Sequence, residues 1–401
     1  MEPSTSTQIG SHQPHTPGLN FFVDGEGPTT SIISAVLSHI TGADKVALKL
    51  AERAVYDDYL AHPTIFSRVC SPSLAWLPRA LVGAGARYAF YLDDNLWEFQ
   101  SDSDLGKYYA RSDVQRSLNA FVGHAATVIV NSELLAMYVR QRFPGLRVAR
   151  VPAPFDFSKL PAEGDIVQRN NHPLRVGYAG TGRGDAFSPV TAAIEHMLRE
   201  MPGEIEFEFI GYVPSSLNGV HGVSTFAEIA DYEEFLAFKR SRRWDAALAP
   251  LSGDVFSSAK TNNKYREYGA MGIVGLYSAT GPYPESVSHG VNGLLVKHGE
   301  DNWRNALLWL VEHRELLASI GARAREDVWR KHRTEVVAEE WHRALEEARL
   351  RTCDSALGSL FAWTAKRFWG ELKGRVGNYS QLASNEGFPA LINHLGRKLK
   401  E

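Results

Sequence analysis

Apolar residues fall along this chain in two alternating patterns: short unbroken runs, and longer stretches in which they return at helical spacing. An unbroken run bounded by turn-forming residues reads as a strand buried on both faces, and the helical spacing reads as an amphipathic helix laid over it. The first part of the chain gives strands at 19–23, 46–48, 64–69, 87–92, 127–130 and 147–151, with helices at 30–39, 74–81, 105–123 and 132–142. Strand and helix alternating in this way make a parallel sheet covered by helices.

The alternation stops at VPAPFDFSKLPAEGDIVQRNNHP, where Pro152, Pro154, Pro161, Gly164 and Pro173 disfavour any long regular element. It resumes with strands at 174–179, 206–210, 246–249, 273–277 and 293–296, and helices at 190–199, 232–239, 303–320 and 322–350. The chain therefore divides into a polar leader at 1–17, a first domain at 18–155, a linker at 156–173, a second domain at 174–350 and an amphipathic helical tail at 351–401. The expected fold class is α/β, with two Rossmann-like doubly wound domains facing across a cleft. Open parallel sheets bind ligands beyond the carboxyl ends of their strands, so two in tandem put both ligand edges on one cleft.

Composition supports two cores, since 44% of the 401 residues are hydrophobic and nine Trp and nineteen Phe are among them. A formal net charge of −3 supplies no global basic field for nucleic acid. Cys70 and Cys353 lie far apart, which indicates neither a disulfide framework nor a cysteine metal site and favours a reducing compartment. The first residues lack the pattern of a secretory signal, and no stretch approaches the roughly 18 apolar residues that span a bilayer. The expected location is cytoplasmic, with the tail as the segment suited to the inner face of a membrane.

Candidate chemistry concentrates in FSSAKTNNKYREYGAMGIVGLYSATGPY, from Phe256 to Tyr283. Read as opening with one helix, this segment brings Lys260, Lys264 and Glu267 to one face, because positions i, i+4 and i+7 lie within roughly 60° of one another. Ammonium groups suit a diphosphate, and a carboxylate accepts hydrogen bonds from two vicinal ribose hydroxyls. A nucleotide sugar has both parts; the bland alternative is a solvated charged face.

Two glycine turns flank that segment. Gly180-Thr181-Gly182-Arg183-Gly184-Asp185 follows the strand at 174–179, where Gly180 and Gly182 let the backbone approach a phosphate and Arg183 adds a charge-assisted bond. Its spelling is neither a Walker A motif nor a full G-x-G-x-x-G, so a ligand-free turn is the alternative. Gly281-Pro282-Tyr283-Pro284-Glu285 follows the strand at 273–277 and offers Glu285 to sugar hydroxyls or to a helix N-terminus.

In the first domain the strand at 87–92 ends in Asp93-Asp94-Asn95. Adjacent carboxylates need a cation or hydrogen-bond donors, and a sugar acceptor would supply the latter; alternatively one of these residues caps the next turn. Asp102-Ser103-Asp104 spells D-x-D but precedes a helix and reads as an N-cap. The fourteen His show no H-x-x-x-H or H-E-x-x-H spacing and no G-x-S-x-G appears, so neither a zinc hydrolase nor a serine hydrolase is indicated.

The segments LRVGYAGTGRGD, WDAALAPL, KTNNKYREYGAMGIVGLYS and GPYPESVSHGVNGLLV resemble the donor domain of GT-B glycosyltransferases of the retaining family 4 type. YLDDNLWE, IVNSELLAMYVRQRFP and RVARVPAPFD resemble the acceptor domain of a bacterial branch of that group that builds surface polysaccharides. The resemblance covers about residues 19–345 and implies the GT-B architecture. It implies that Glu267 binds the donor ribose, that Arg183 and Lys264 lie near the residues that bind the diphosphate, and that Gly281, Pro282 and Tyr283 form the loop beside the donor sugar. Two positions depart from the pattern: Ala259 stands where the family has a second glutamate, and Asp93 where many members have a histidine.

The implied activity is retaining, metal-independent transfer of a hexose-like sugar from a UDP- or GDP-donor to a saccharide or lipid-linked acceptor, with no cofactor. Lys264 and Arg183 would neutralise the leaving diphosphate, and Asp93 or Asp94 would orient the attacking hydroxyl. A nucleotide-sugar 2-epimerase and a catalytically inactive sugar-binding paralogue are the alternatives. In the tail, Trp363, Phe368 and Trp369 beside Lys366, Arg367 and Lys373 suit an anionic membrane surface or packing on the first domain.

Overall fold

Runs that are apolar throughout fold into strands buried on both faces, and they do so twice. The computed structural model describes residues 18–352 apart from 26, 43, 44, 55–57, 100–102, 161–172 and 183. The leader 1–17, most of the linker, Arg183 and the tail beyond residue 352 lie outside the described residues.

The first sheet contains β1 (Leu19–Val23), β2 (Val46–Leu50), β3 (Thr64–Ser67), β4 (Ala89–Leu92), β5 (Thr127–Val130) and β6 (Val148–Arg150). Their order is β2-β1-β3-β4-β5-β6 and all neighbours are parallel. Every residue of β1, β3, β4 and β5 is buried, the reason these segments carry no polar alternation. The helices between them are α1 (Pro28–Thr41), α2 (Asp58–Ala61), α3 (Leu77–Gly83), α4 (Asp104–Tyr109), α5 (Ser112–Gly123) and α6 (Glu133–Arg142). The single helix expected at 105–123 is two, because Arg111 is extended with ψ 134 and Asp113 accepts from both Arg111 and Val114 N, which starts a new helix.

The second sheet contains β7 (Leu174–Gly180), β8 (Ile205–Gly211), β9 (Val223–Phe226), β10 (Ala246–Ala249), β11 (Val274–Ser278) and β12 (Leu294–Val296), in the order β12-β11-β10-β7-β8-β9 and again parallel. The sequence pattern misses β9, an edge strand that is exposed along VSTF and lacks an apolar run. Its helices are α7 (Ser188–Glu200), α8 (Tyr232–Ser241), α9 (Val255–Ser258), α10 (Asn263–Ala270), α11 (Tyr283–Ser286), α12 (Glu300–Glu312) and α13 (Arg314–His332). Strand order reverses between β1 and β3 in one sheet and between β7 and β10 in the other, which are the crevices where doubly wound sheets take ligands.

The last helix among the described residues is α14 (Thr334–Ala348), which the sequence pattern assigns to the second domain. Val337, Ala338, Trp341 and Ala344 pack with Ile33, Val36 and Leu37 of α1 on the first sheet, and the Trp341 ring lies 5.2 Å from that of Tyr91. An amphipathic stripe records that a helix packs, not against which sheet.

The two crossings between domains are tied together. Phe155 N donates to His332 O at 2.6 Å, and His332 Nδ1 donates to Ala153 O at 2.9 Å. Burial, with Arg266 nearby, pushes the His332 imidazole down to about 4, so it holds this contact as a neutral ring.

Helix α13 reaches the site through a close backbone approach. A Cβ on Gly321 would meet Gly272 O, in the turn joining α10 to β11, at 2.1 Å. Neither backbone can yield without moving α10. Gly321→Ala should therefore lower stability by about 1–3 kcal/mol, read as an earlier urea midpoint with unchanged slope.

Candidate functional site

The site is built on α10, an eight-residue helix in which Lys264, Arg266 and Glu267 are all buried. Each must find its partner in a different place. Lys264 Nζ donates to Ala179 O at the end of β7 and sits 4.5 Å over the Tyr178 ring. Glu267 Oε2 takes Lys239 Nζ of α8, while Oε1 accepts from Asn263 at 2.8 Å and Tyr232 at 3.3 Å. Arg266 donates to Pro154 O between the domains, to Asn262 Oδ1 at 3.0 Å and to Thr261 Oγ1 at 3.1 Å.

Burial alone would raise the Glu267 carboxyl, but Lys239, followed by Lys264 and Arg266, outweighs it and holds the group below its ordinary value. Glu267 is therefore a fixed anion.

Of the expected donor loops, the one at Gly180 meets Lys264, while Pro282 of the other lines a separate cavity with Glu285. Gly180 has φ 140 and an added Cβ would lie 3.0 Å from Lys264 Nζ, so the ammonium group rests against this loop. Gly182 follows against the Tyr212 ring. Gly281 has φ 65, a conformation that favours glycine, and brings Pro282 and Tyr283 to the start of α11, where Tyr283 is buried 4.9 Å from the Tyr277 ring.

Two expected members lie elsewhere. Lys260 is not on the helix of Lys264 and Glu267: α9 ends at Ser258, and α10 begins only after Asn262, whose ψ of 38 is not helical. Asn262 and Thr261 are engaged by Arg266, which stabilises the break. Lys260 instead lies 4.2 Å over the Phe256 ring and 3.8 Å from Asp94 Oδ1 of the first domain. Glu285 turns to the first domain as well, meeting Arg150 at 3.3 Å and Glu133 N at 3.3 Å. It lines a cavity of about 390 Å³ between the domains with Asn131, Arg150, Asn262 and Arg330, and that lining includes neither Gly180 nor Lys264.

Ala259, at the position where the resemblance expects a glutamate, is 2% exposed and packs with the core of the first domain. Its carbonyl accepts from Ser132 Oγ at 3.0 Å. A carboxylate there would be buried among apolar groups.

Opposite stands the carboxyl edge of the first sheet. Asp93 is 6% exposed; its Oδ2 accepts from Thr29 at 2.8 Å and its Oδ1 lies 3.5 Å from Arg68 Nε without receiving a hydrogen bond. Asp94 Oδ2 meets Arg68 Nη2 at 3.4 Å. Burial lifts the Asp93 carboxyl above its ordinary range although Arg68 opposes it. At the end of β1, burial pushes Asp24 up to about 6; burial and Asp24 together raise the Cys70 thiol, which therefore stays neutral. Among the described residues no group of three or more His, Cys, Asp or Glu is placed to hold a metal ion.

Sequence reading did not single out Lys239, Arg68, Thr29 or Asp24. Asp24 follows a strand that it did identify, and Arg68 lies within the strand expected at 64–69, which ends at Ser67; their place at the switch point of the sheet is the signal that could have found them.

Glu267 binds fewer protons folded than unfolded at the pH where free carboxylates titrate. Its contribution is complete above that range and is lost as pH falls through the depressed native value. Lys239→Met leaves the buried carboxylate without its direct ion-pair partner and should cost about 3–5 kcal/mol at pH 7. The difference from wild type should narrow on acidification, because Glu267 of the variant protonates readily. Urea unfolding measured from pH 7 to pH 4 checks both the loss and its sign.

No protein-family model matches the sequence, and no curated protein matches it. Solved structures do. HepE of Anabaena, in complex with UDP and glucose, superposes with a TM-score of 0.59 over 82% of this chain and 100% of its own, at 13% identity. Sucrose-phosphate synthase from Thermosynechococcus elongatus gives 0.59 over 82% of this chain and 98% of its own, at 13% identity. TarM of S. aureus, in complex with fondaparinux, α-GlcNAc-glycerol and UDP, gives 0.52 over 70% and 55%, at 15% identity. With its two parallel six-stranded sheets facing across a cleft, the chain has the GT-B fold.

Proposed function

We propose that the protein is a retaining, metal-independent glycosyltransferase that takes a hexose-like sugar from a UDP- or GDP-donor and attaches it to a saccharide or lipid-linked acceptor. The observation that carries this reading is the placement of Lys264 at the end of β7, between the Gly180 loop and the buried carboxylate of Glu267, on the opposite side of the cleft from Asp93 and Asp94. HepE, with the same fold, is described with UDP-glucose, which favours a uridine donor among those considered.

In this reading the donor diphosphate lies against Gly180, Gly182 and Lys264, with Arg183 as a second cation. The ribose diol donates to Glu267, displacing the long Tyr232 contact on Oε1. Gly281, Pro282 and Tyr283 border the sugar. The acceptor hydroxyl oxygen bonds to the anomeric carbon on the face the diphosphate leaves, which retains configuration. The bond from that carbon to the diphosphate oxygen breaks, its electron pair goes to the diphosphate, and the hydroxyl proton passes to Asp93. Lys264 stabilises the charge gathering on the leaving group, the interaction that grows most toward the transition state.

Lys264→Ala should lower kcat/KM for sugar transfer by more than tenfold, a loss above roughly 1.4 kcal/mol. A change within threefold would remove Lys264 from the leaving-group role. The donor for that assay comes from thermal shifts with UDP-, GDP-, CMP- and dTDP-sugars, since a ligand of the native state raises its melting temperature. NMR of the donor incubated alone distinguishes transfer from 2-epimerisation.

A further inference from the structure

Arg68 is the first residue beyond β3, at the point where the strand order of the first sheet reverses. Its φ is 59, a left-handed conformation that a long side chain rarely adopts. The backbone is held there by Arg68 N donating to Tyr91 O at 3.2 Å, which ties the residue to β4 two residues before the paired carboxylates. Observed strain of this kind at a ligand edge points to a placed side chain.

The guanidinium divides itself between two anions. Nε lies 3.5 Å from Asp93 Oδ1 and Nη2 lies 3.4 Å from Asp94 Oδ2. Asp94 also faces Lys260 from the other domain at 3.8 Å. Two cations thus balance two carboxylates, one from each side of the cleft. Because Lys260 shares the charge of Asp94, Arg68 can serve Asp93. Thr29 fixes Asp93 Oδ2, and Oδ1 has acceptor capacity in reserve.

We propose that Arg68 is a positioning residue, which acts through Asp93 by setting a cation beside that buried carboxyl where it meets the acceptor hydroxyl. The inference rests on the reading of Asp93 as the group that meets the acceptor. The other charged and titratable groups that face Asp93 are Asp94 and Tyr91 on or beside β4, Tyr109 on α4 and Arg266 on α10. Asp24, at the end of β1, faces Arg68 itself. Arg266 is committed to Pro154, Asn262 and Thr261, so the contact that opposes the burial of Asp93 comes from Arg68.

Without the guanidinium, burial of Asp93 loses its largest opponent, the Thr29 hydrogen bond remaining, and the carboxyl keeps its proton to higher pH. The full chain labelled with ¹³C at aspartate carboxyls tests this directly, with Asp93→Asn identifying the resonance. In Arg68→Gln the Asp93 midpoint should rise by about one pH unit or more, and in Arg68→Lys by less. The acidic limb of kcat/KM against pH, measured with UDP-glucose or the sugar nucleotide found by thermal shift, should move the same way. An unmoved midpoint in Arg68→Gln overturns the proposal, and if that variant does not fold, an unmoved midpoint in Arg68→Lys does so. A shifted midpoint in a protein that turns over no sugar nucleotide supports the Arg68–Asp93 coupling and overturns the transferase reading. Sugar transfer with both midpoint and acidic limb unmoved does the reverse.

Discussion

Three ionised side chains buried within four positions of one short helix set the terms for everything around them. An ion removed from water is tolerated only where partners meet it. On α10 those partners cannot be local, because Lys264, Arg266 and Glu267 leave the helix in different directions. The first reaches the second sheet, the next reaches the chain crossing between domains, and the last reaches α8. The helix is therefore the point at which sheet edge, domain crossing and α8 share one position, and a displacement of any of them is felt by all three.

The same constraint explains why the domains meet where they do. Ala259 is buried in the first domain's core, with its carbonyl bound to Ser132, and Lys260 beside it reaches Asp94. A glutamate at 259 would introduce an ion into that contact. The chain uses an apolar residue there and places its carboxylates at 93 and 94 instead, under Arg68. Charge in the cleft is thus arranged between facing domains and not along one helix.

Much of this was legible in the sequence. Eleven of the twelve strands among the described residues are expected from sequence, most plainly β1, β3, β4, β5, β10 and β11, where burial on both faces removes polar residues. The glycine turns and Asp93 are legible because they sit at strand ends, where parallel sheets expose backbone and side chains to ligands, and Lys264 and Glu267 because helical spacing puts them on one face. Three things were not. β9 is a half-exposed edge strand without an apolar run. The helix break before Asn262 depends on Arg266, whose partners are a turn away and in another domain. Lys239 is a charged residue on an amphipathic helix, and nothing in its local pattern says that it is fully buried against Glu267.

The return of α14 to the first sheet makes that domain discontinuous in sequence, with the second domain inserted into it. During synthesis the face of β1 and α1 that Trp341 covers stays open until the last helix is made. At about 5–20 residues per second, the interval between β6 and α14 lasts on the order of ten to forty seconds. The second domain, whose own sheet lies wholly within that interval, can complete its core first. Order of assembly then runs against order in the chain: the second domain forms as a finished body, and the first domain is completed last.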